Sequence, residues 1–266
     1  ITPGGGDGPA MQIALTGDVM LGRLVDQYVI HNQSIGPDKI WSDVLPLLLK
    51  ADRRLINLEC VISGGGREWQ PDSKVFHFRA HPRAIDFLRA AKIDCVTLAN
   101  NHVLDYGTDA LIECLALLDR AGIKWTGAGA SLAEALTPAI VDLPQGRLGV
   151  VSLTDNEPEW EAGEKKTGTH YIAYDAKDLV EPYRSRLAQV LKQVRSQADL
   201  VIVSAHVGPN WGPPSAAMRA LAYQIIDLGA DLYWGHSNHT PQGIEIYKGK
   251  AILYSTGDFI DDYAVD

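Results

Sequence analysis

Short apolar runs that stop at polar residues alternate along this chain with stretches of helical period. Met11 to Thr16, Arg54 to Leu58, Cys95 to Ala99, Leu200 to Ala205 and Asp231 to Trp234 read as buried strands. Apolar residues three and four apart predict helices over Leu21 to Ile30, Trp41 to Lys50, Ala84 to Ala91, Thr108 to Ala121, Asp178 to Gln197 and Ser215 to Leu228. Lys74 to Arg79 alternates as a strand does, and Gly127-Ala128-Gly129 reads as a tight turn. Two further pairs fit hairpins: Pro138 to Asp142 with Arg147 to Leu153, and Gly243 to Tyr247 with Ala251 to Tyr254. Strands alternating with helices, plus hairpins, predict an α/β chain with mixed sheet, one domain over residues 11–266 behind a flexible glycine-rich leader over 1–10. Asp155 to His170 turns polar and acidic, which predicts a solvated loop overhanging the strand ends.

The strands deliver chemistry at their ends. Gly17-Asp18 follows the first, Asn57-Leu58-Glu59 closes the second, Asn100-Asn101-His102 follows the third, His206 the fourth, and Gly235-His236-Ser237-Asn238-His239 the fifth. Each alone has an ordinary reading, because Asp18 can cap a helix, Asn101 can form a turn and a lone His can pack in a core. Five polar strand ends of this composition, where α/β sheets carry their clefts, predict one shared site. Asp, Glu, Asn and His without a thiolate suit one or two divalent ions of Mn, Fe, Zn or Ca. Two ions sharing a carboxylate and holding water serve hydrolysis of a phosphate ester or an amide. Nucleophilic alternatives lack their signatures: there is no G-x-S-x-G elbow, and no Cys lies beside a His in a recognisable setting. The glycines at 127 and 129 lack the third member of a dinucleotide fingerprint.

Composition narrows the class. The 266 residues, 46% hydrophobic and 21% charged, are those of a globular chain long enough to bury a full core. A net charge of -9 argues against a nucleic-acid partner, because phosphate-tracking surfaces cluster Lys and Arg. It also requires that any anion-binding site be made positive locally. Cys60, Cys95 and Cys114, odd in number and without C-x-x-C spacing, predict reduced, buried thiols. They favour a cytoplasmic protein, or a membrane-associated or extracytoplasmic one if an anchor precedes Ile1.

The ordered set GDVMLGR (Gly17 to Arg23), NLE (Asn57 to Glu59), ANNHVLDYG (Ala99 to Gly107), AHVGPNW (Ala205 to Trp211), GHSNH (Gly235 to His239) and YSTGDF (Tyr254 to Phe259) resembles the CapA family of bacterial poly-γ-glutamate capsule biosynthesis proteins. That family is similar to calcineurin-like metallophosphoesterases. The resemblance implies a four-layer αββα sandwich with two mixed β-sheets and the site along one sheet edge. It also implies metal ligands at Asp18, Glu59, Asn101, His206, His236 and His239, with Glu59 in the place of a bridging Asp and His102 as proton donor to the leaving group. Three departures bear on the metal: Met20 replaces a ligand His, Glu59 replaces Asp, and Ser237 stands where many relatives have His. The pattern of the family continues past its last motif, so the resemblance implies a C-terminal portion beyond Asp266.

Three functions fit this residue set. One is a metal-dependent hydrolase acting on a peptidic, polyglutamate-like or phosphoester substrate, with His102, Asp18 and Glu59 catalytic. A second is a peptide epimerase using the same acids and bases. The third is a capsule-assembly subunit that binds polyglutamate or a membrane-bound capsule synthase through a degenerate metal site.

Overall fold

The computed structural model describes residues 11–70 and 74–263; the predicted leader lies outside them. Five strands form one sheet: β1 (Ile13–Val19), β2 (Arg53–Leu58), β3 (Cys95–Thr97), β4 (Lys124–Thr126) and, last in the chain, Asp258–Ile260, in the order 258–260, β1, β2, β3, β4. All its neighbours are parallel. A second sheet holds β5 (Ala139–Asp142), β6 (Arg147–Thr154), β7 (Leu200–His206), β8 (Leu232–His236), β9 (Ile244–Tyr247) and β10 (Lys250–Leu253), ordered β9, β10, β8, β7, β6, β5. Here the two predicted hairpins pair antiparallel and the rest run parallel, so the mixed character belongs to this sheet. The final strand of the chain, Asp258–Ile260, is β11 below.

Three apolar layers separate four structural layers. Helices α1 (Leu45–Lys50), α2 (Ala84–Ala90) and α3 (Gly107–Ala121) cover the first sheet through Ile56, Leu58, Val96 and Leu111. Helices α4 (Tyr183–Arg195) and α5 (Ala216–Asp227) cover the second through Val151, Val203, Leu191 and Ile225. Between the sheets lie Leu55, Cys95, Leu148, Val150, Ile202 and Trp234. This is the αββα sandwich that the resemblance implies. No helix among the described residues is long and apolar enough to cross a membrane.

Strand alternation then places the site. Side chains two apart share a face, so the inter-sheet face that carries Leu55 next carries Asn57, Cys95 is followed by Thr97, Ile202 by Ser204 and His206, and Trp234 by His236. The space between the sheets is therefore apolar at the strand starts and polar at the strand ends. β1 joins this pattern only through a bulge: Leu15 pairs with Leu55 but Asp18 with Asn57, one extra residue on β1. Because side-chain direction has period two, that residue turns Asp18 to the inter-sheet face.

Several local expectations give way to tertiary contacts. Residues 74–78 form no strand; only Arg79–Ala80 pairs, with Val61–Ile62, because the segment spends its polar groups on the site described below. The helix expected over Leu21 to Ile30 is a turn at Arg23–Val25 followed by a π-helical turn at Asp26–Ile30. Trp41 to Lys50 divides into a 3₁₀ segment, Lys39–Val44, and α1, with Ser42 at φ 47° between them. α4 starts at Tyr183 and not at Asp178, since Pro182 disfavours helix at the residue before it. Ala128–Gly129 is a short strand paired with Gly168–Thr169, not a turn. The Asp155 to His170 segment is only partly solvated: Trp160 and His170 are buried, and Trp160 joins the helix-side core of the first sheet. The three cysteines are free and buried, as expected.

The bulge depends on one glycine. A Cβ at Gly17 would lie 1.8 Å from the carbonyl oxygen of Gly257, which is backbone and cannot swing away. Gly17→Ala is expected to lower the unfolding free energy by about 2 kcal/mol or more in urea titration, and to weaken cation binding at Asp18; unchanged urea midpoints would remove the bulge from this role.

Candidate metal centre

Asp18, His206 and His236 meet at the polar end of the sandwich. Asp18 Oδ1 lies 3.6 Å from His236 Nδ1 and 3.9 Å from His206 Nδ1, and accepts a hydrogen bond from Asn57 Nδ2 at 2.7 Å. The two Nδ1 atoms are 2.9 Å apart. Their tautomers follow from their other partners. His206 Nε2 sits 2.9 Å from Asn101 Oδ1, an acceptor, so Nε2 carries the proton and Nδ1 a lone pair. His236 Nε2 lies 2.6 Å from Ser204 Oγ, whose hydroxyl donates to Thr97 Oγ1 at 3.1 Å, so the serine accepts from His236 and Nδ1 is again a lone pair. Burial lowers the pKa of both imidazoles, that of His236 to about 3, so both rings are neutral at neutral pH and each carries a single ring proton. Both Nδ1 atoms thus turn towards the Asp18 carboxylate, with Asn57 Nδ2 3.4 Å from that of His206, an arrangement that a divalent cation satisfies.

A second acidic group overlaps the first. Oxygens of Asp18, Glu59 and Asp258 lie within 4.8 Å of one another, as do the ligand atoms of Asp18, His206 and His236. Glu59 Oε1 is 3.8 Å from His206 Nε2, while its buried Oε2 has no hydrogen-bond partner among the described residues. Asp18 is thus the carboxylate common to both groups, and Glu59, expected in the place of a bridging Asp, belongs to the acidic one. Burial pushes Asp18 up to about 7, and burial with the neighbouring charges of Asp18 and Asp258 raises Glu59 as well. The donor set fits a hard-to-borderline divalent ion.

The remaining predicted residues divide. Asn101 joins the cluster through His206. His239 belongs to neither group; its Nδ1 is 2.9 Å from Asp258 Oδ1, and although burial pushes its pKa down, the hydrogen bond and charge of Asp258 outweigh burial and raise it. Met20 is wholly buried in the helix-side core, so position 20 offers no ligand. The Ser237 hydroxyl donates to Gly208 O at 3.0 Å, while its backbone N–H reaches Asp18 Oδ2 at 3.3 Å.

His102 stands at a separate station. Its ring stacks on Phe78, centroids 3.7 Å apart, and its Nδ1 is 2.5 Å from Asp105 Oδ2. Asp105, pushed up to about 7 by burial against the opposing pull of Lys74, accepts also from the Phe78 backbone N–H at 2.7 Å. Lys74 Nζ lies 3.3 Å from Asp105 Oδ1 and 2.9 Å from Glu157 Oε1, and donates to Asn101 O. Burial, then the Lys74 charge, lower the His102 pKa well below the usual imidazole range. A cavity of about 590 Å³ opens between the two stations, lined by Glu59, Asn101, His102, His206 and Glu157 among others. Glu157 places the predicted overhanging segment on that wall.

Sequence reasoning missed Lys74 and gave no role to Asn57, Asp105 and Asp258, which it met only inside strand-end and family motifs. Asn57 was legible from its even spacing from Leu55, and Asp105 from its position three residues after His102. Lys74 and Asp258 arrive by long-range folding that no local spacing marks.

The description of bacterial capsule synthesis protein PGA_cap matches residues 12–263. The chain belongs to that family. Its relatives include a probable polyglutamine synthesis accessory protein of Mycobacterium tuberculosis, 36% identical over 97% of this chain and 76% of the relative. The PGA biosynthesis protein CapA of Bacillus subtilis is 26% identical over 95% of this chain and 63% of its own length. The capsule biosynthesis protein CapA of Bacillus anthracis is 27% identical over 95% and 60% respectively. Among solved structures, a putative 5'-nucleotidase from Staphylococcus aureus superposes with a TM-score of 0.53 at 16% identity, covering 91% of this chain and 48% of that one. That likeness shows the metallophosphatase-like fold of this family member; the chain spans under two thirds of either CapA protein.

A cation must displace the proton that burial holds on Asp18, whereas the two histidines are already neutral. Affinity should therefore rise with pH through about 7, the Asp18 value, and, because Glu59 is raised as well, binding at lower pH should weaken at least tenfold per pH unit and release a proton from each protonated carboxylate. Without a cation the same shifts act oppositely on stability. The raised Asp18 loses stability as pH rises from 3.8 to about 7, and the lowered histidines lose it as pH falls below 6.5. Calorimetry of Mn²⁺ binding in buffers of different ionisation enthalpy reads the proton count; a pH-independent affinity between 5.5 and 7 would contradict the Asp18 assignment.

Proposed function

We propose that this family member is a metal-dependent hydrolase that cleaves an amide bond in a γ-glutamyl chain. Asp18, Glu59, His206 and His236 hold the ion, with Asn101 beside them. The clustering of two imidazoles with three carboxylates, of which His206 and Glu59 reach the wall of a cavity that His102 also lines, carries this reading. The substrate class comes from the relatives, which are named for polyglutamine synthesis and for PGA and capsule biosynthesis.

A bound cation supplies Lewis-acid polarisation of the scissile carbonyl and raises the acidity of water. The residues of the chain do the rest. Asp105 at Nδ1 fixes the tautomer of His102 and leaves Nε2, which has no partner among the described residues, as the working atom. With its pKa depressed, His102 enters as a base, takes the proton of the attacking water and returns it to the leaving amine. Phe78 stacked on the ring and Lys74 on Asp105 hold the pair in one orientation. The Asn57–Thr97–Ser204 chain does the same for His236.

The test uses Mn²⁺-loaded protein and γ-linked glutamate oligomers, with products read by mass spectrometry. His102→Ala is expected to cut turnover by about 10²–10⁴ with bound metal unchanged. Asp18→Ala should lose metal and turnover together. Cleavage that survives both substitutions would abandon the proposal, as would metal-loaded wild-type protein that cleaves no oligomer.

A further inference from the structure

We infer that Arg23 is the carboxylate-binding residue of this cavity, selecting chains that carry a free acid beside the reacting bond. The location of that bond rests on the hydrolase reading; the anion site itself rests on Arg23.

Arg23 lines the same cavity as Glu59 and His102. Its guanidinium carbon lies over three aromatic rings, 5.3 Å from the centroid of Phe76, 5.7 Å from Phe78 and 5.8 Å from Tyr263. Aromatic faces hold a cation without neutralising it and keep water from its flat sides. One edge of the fork is partly met: Nε sits 3.6 Å from Asp262 Oδ2, an oxygen already taken by the backbone N–H of Leu24 at 2.8 Å. The other edge carries an unmet donor. Nη1 is buried and has no hydrogen-bond partner among the described residues, although the side chain as a whole is 31% exposed.

A buried guanidinium N–H without an acceptor is costly, and a carboxylate answers it in the geometry that a guanidinium presents. Arg23 is also a non-glycine residue at φ 50°, a left-handed conformation that persists only where the surroundings impose it. Lys74, also on this cavity, is fully engaged by Asp105, Glu157 and the Asn101 carbonyl, with its Nζ 4.8 Å from the centroid of Trp160. Arg23 is therefore the cavity cation with a free edge. A singly charged carboxylate matches the single charge and planar fork of one guanidinium, and phosphate serves as the competing probe below.

The competing explanation is a strut: Arg23 merely pins the 258–263 segment through Asp262. Calorimetry on the metal-loaded full chain separates the two, using tri-γ-glutamate, its neutral methyl ester and inorganic phosphate as probes, with metal content measured on every variant. Arg23→Gln should weaken tri-γ-glutamate binding at least tenfold while leaving the ester and the metal content unchanged, Arg23→Lys should recover part of the loss, and Asp262→Asn should bind the acid at least as well as wild type. Equal binding of acid and ester by wild-type protein, an unaltered Arg23→Gln, an equal loss in Asp262→Asn, tighter binding of phosphate than of the oligomer, or no binding of the acid at all would each overturn the assignment. If Arg23→Gln does not fold, Arg23→Lys decides, because it keeps the charge and loses the fork: full wild-type affinity there overturns the proposal. Arg23-dependent binding without cleavage would sink the hydrolase reading and leave the anion site standing.

Discussion

Two imidazole lone pairs, 2.9 Å apart and buried beside the Asp18 carboxylate, are the constraint around which this molecule is arranged. Left to themselves these groups repel or go unsatisfied, and burial raises the cost because little water is available to screen them. The surrounding side chains do not relieve the conflict; they enforce it. Asn101 orders one ring, the Ser204–Thr97–Asn57 chain orders the other, and both histidines therefore turn a lone pair inward. A fold that spends its polar contacts in this way is preorganised for a cation.

The sandwich makes that enforcement possible. Its inter-sheet layer is packed by Leu55, Ile202 and Trp234 at one end, and the same strand faces carry Asn57, Ser204, His206 and His236 at the other. The apolar half supplies the burial and rigidity; the polar half inherits the rigidity without the apolar filling. Trp234 joins the two, since its Nε1 donates to Thr16 O at 3.0 Å, at the bulge that turns Asp18 inward.

Electrostatics divide the cavity into regions with different tasks. Glu59 and His206 present the acidic, donor-rich face, His102 backed by Asp105 and Lys74 an imidazole face, and Arg23 over its aromatic rings a cationic one. In a chain of net charge -9 an anion would be received only where the potential is made positive locally. Arg23 places positive charge on this cavity, and a cation held by the Asp18 cluster would add to it.

The strands, most helices, and the set Asp18, Glu59, Asn101, His102, His206 and His236 were determined by the sequence itself, because buried parallel strands read as apolar runs and their C-terminal ends carry the polar residues. The motif order also carried the family. Tertiary structure alone decided four things. Asp18 is common to the two candidate ligand groups, because a one-residue bulge rotates it. His239 turns to Asp258, which folding brings beside β1 from the far end of the chain. Lys74 leaves the strand that its alternation predicts, because Asp105, Glu157 and the Asn101 carbonyl outbid a ladder of backbone hydrogen bonds. Arg23 departs from a helical pattern to lie over aromatic rings contributed by distant segments. Each of these depends on contacts between residues far apart in sequence, where local periodicity carries no information about which partner a side chain will meet.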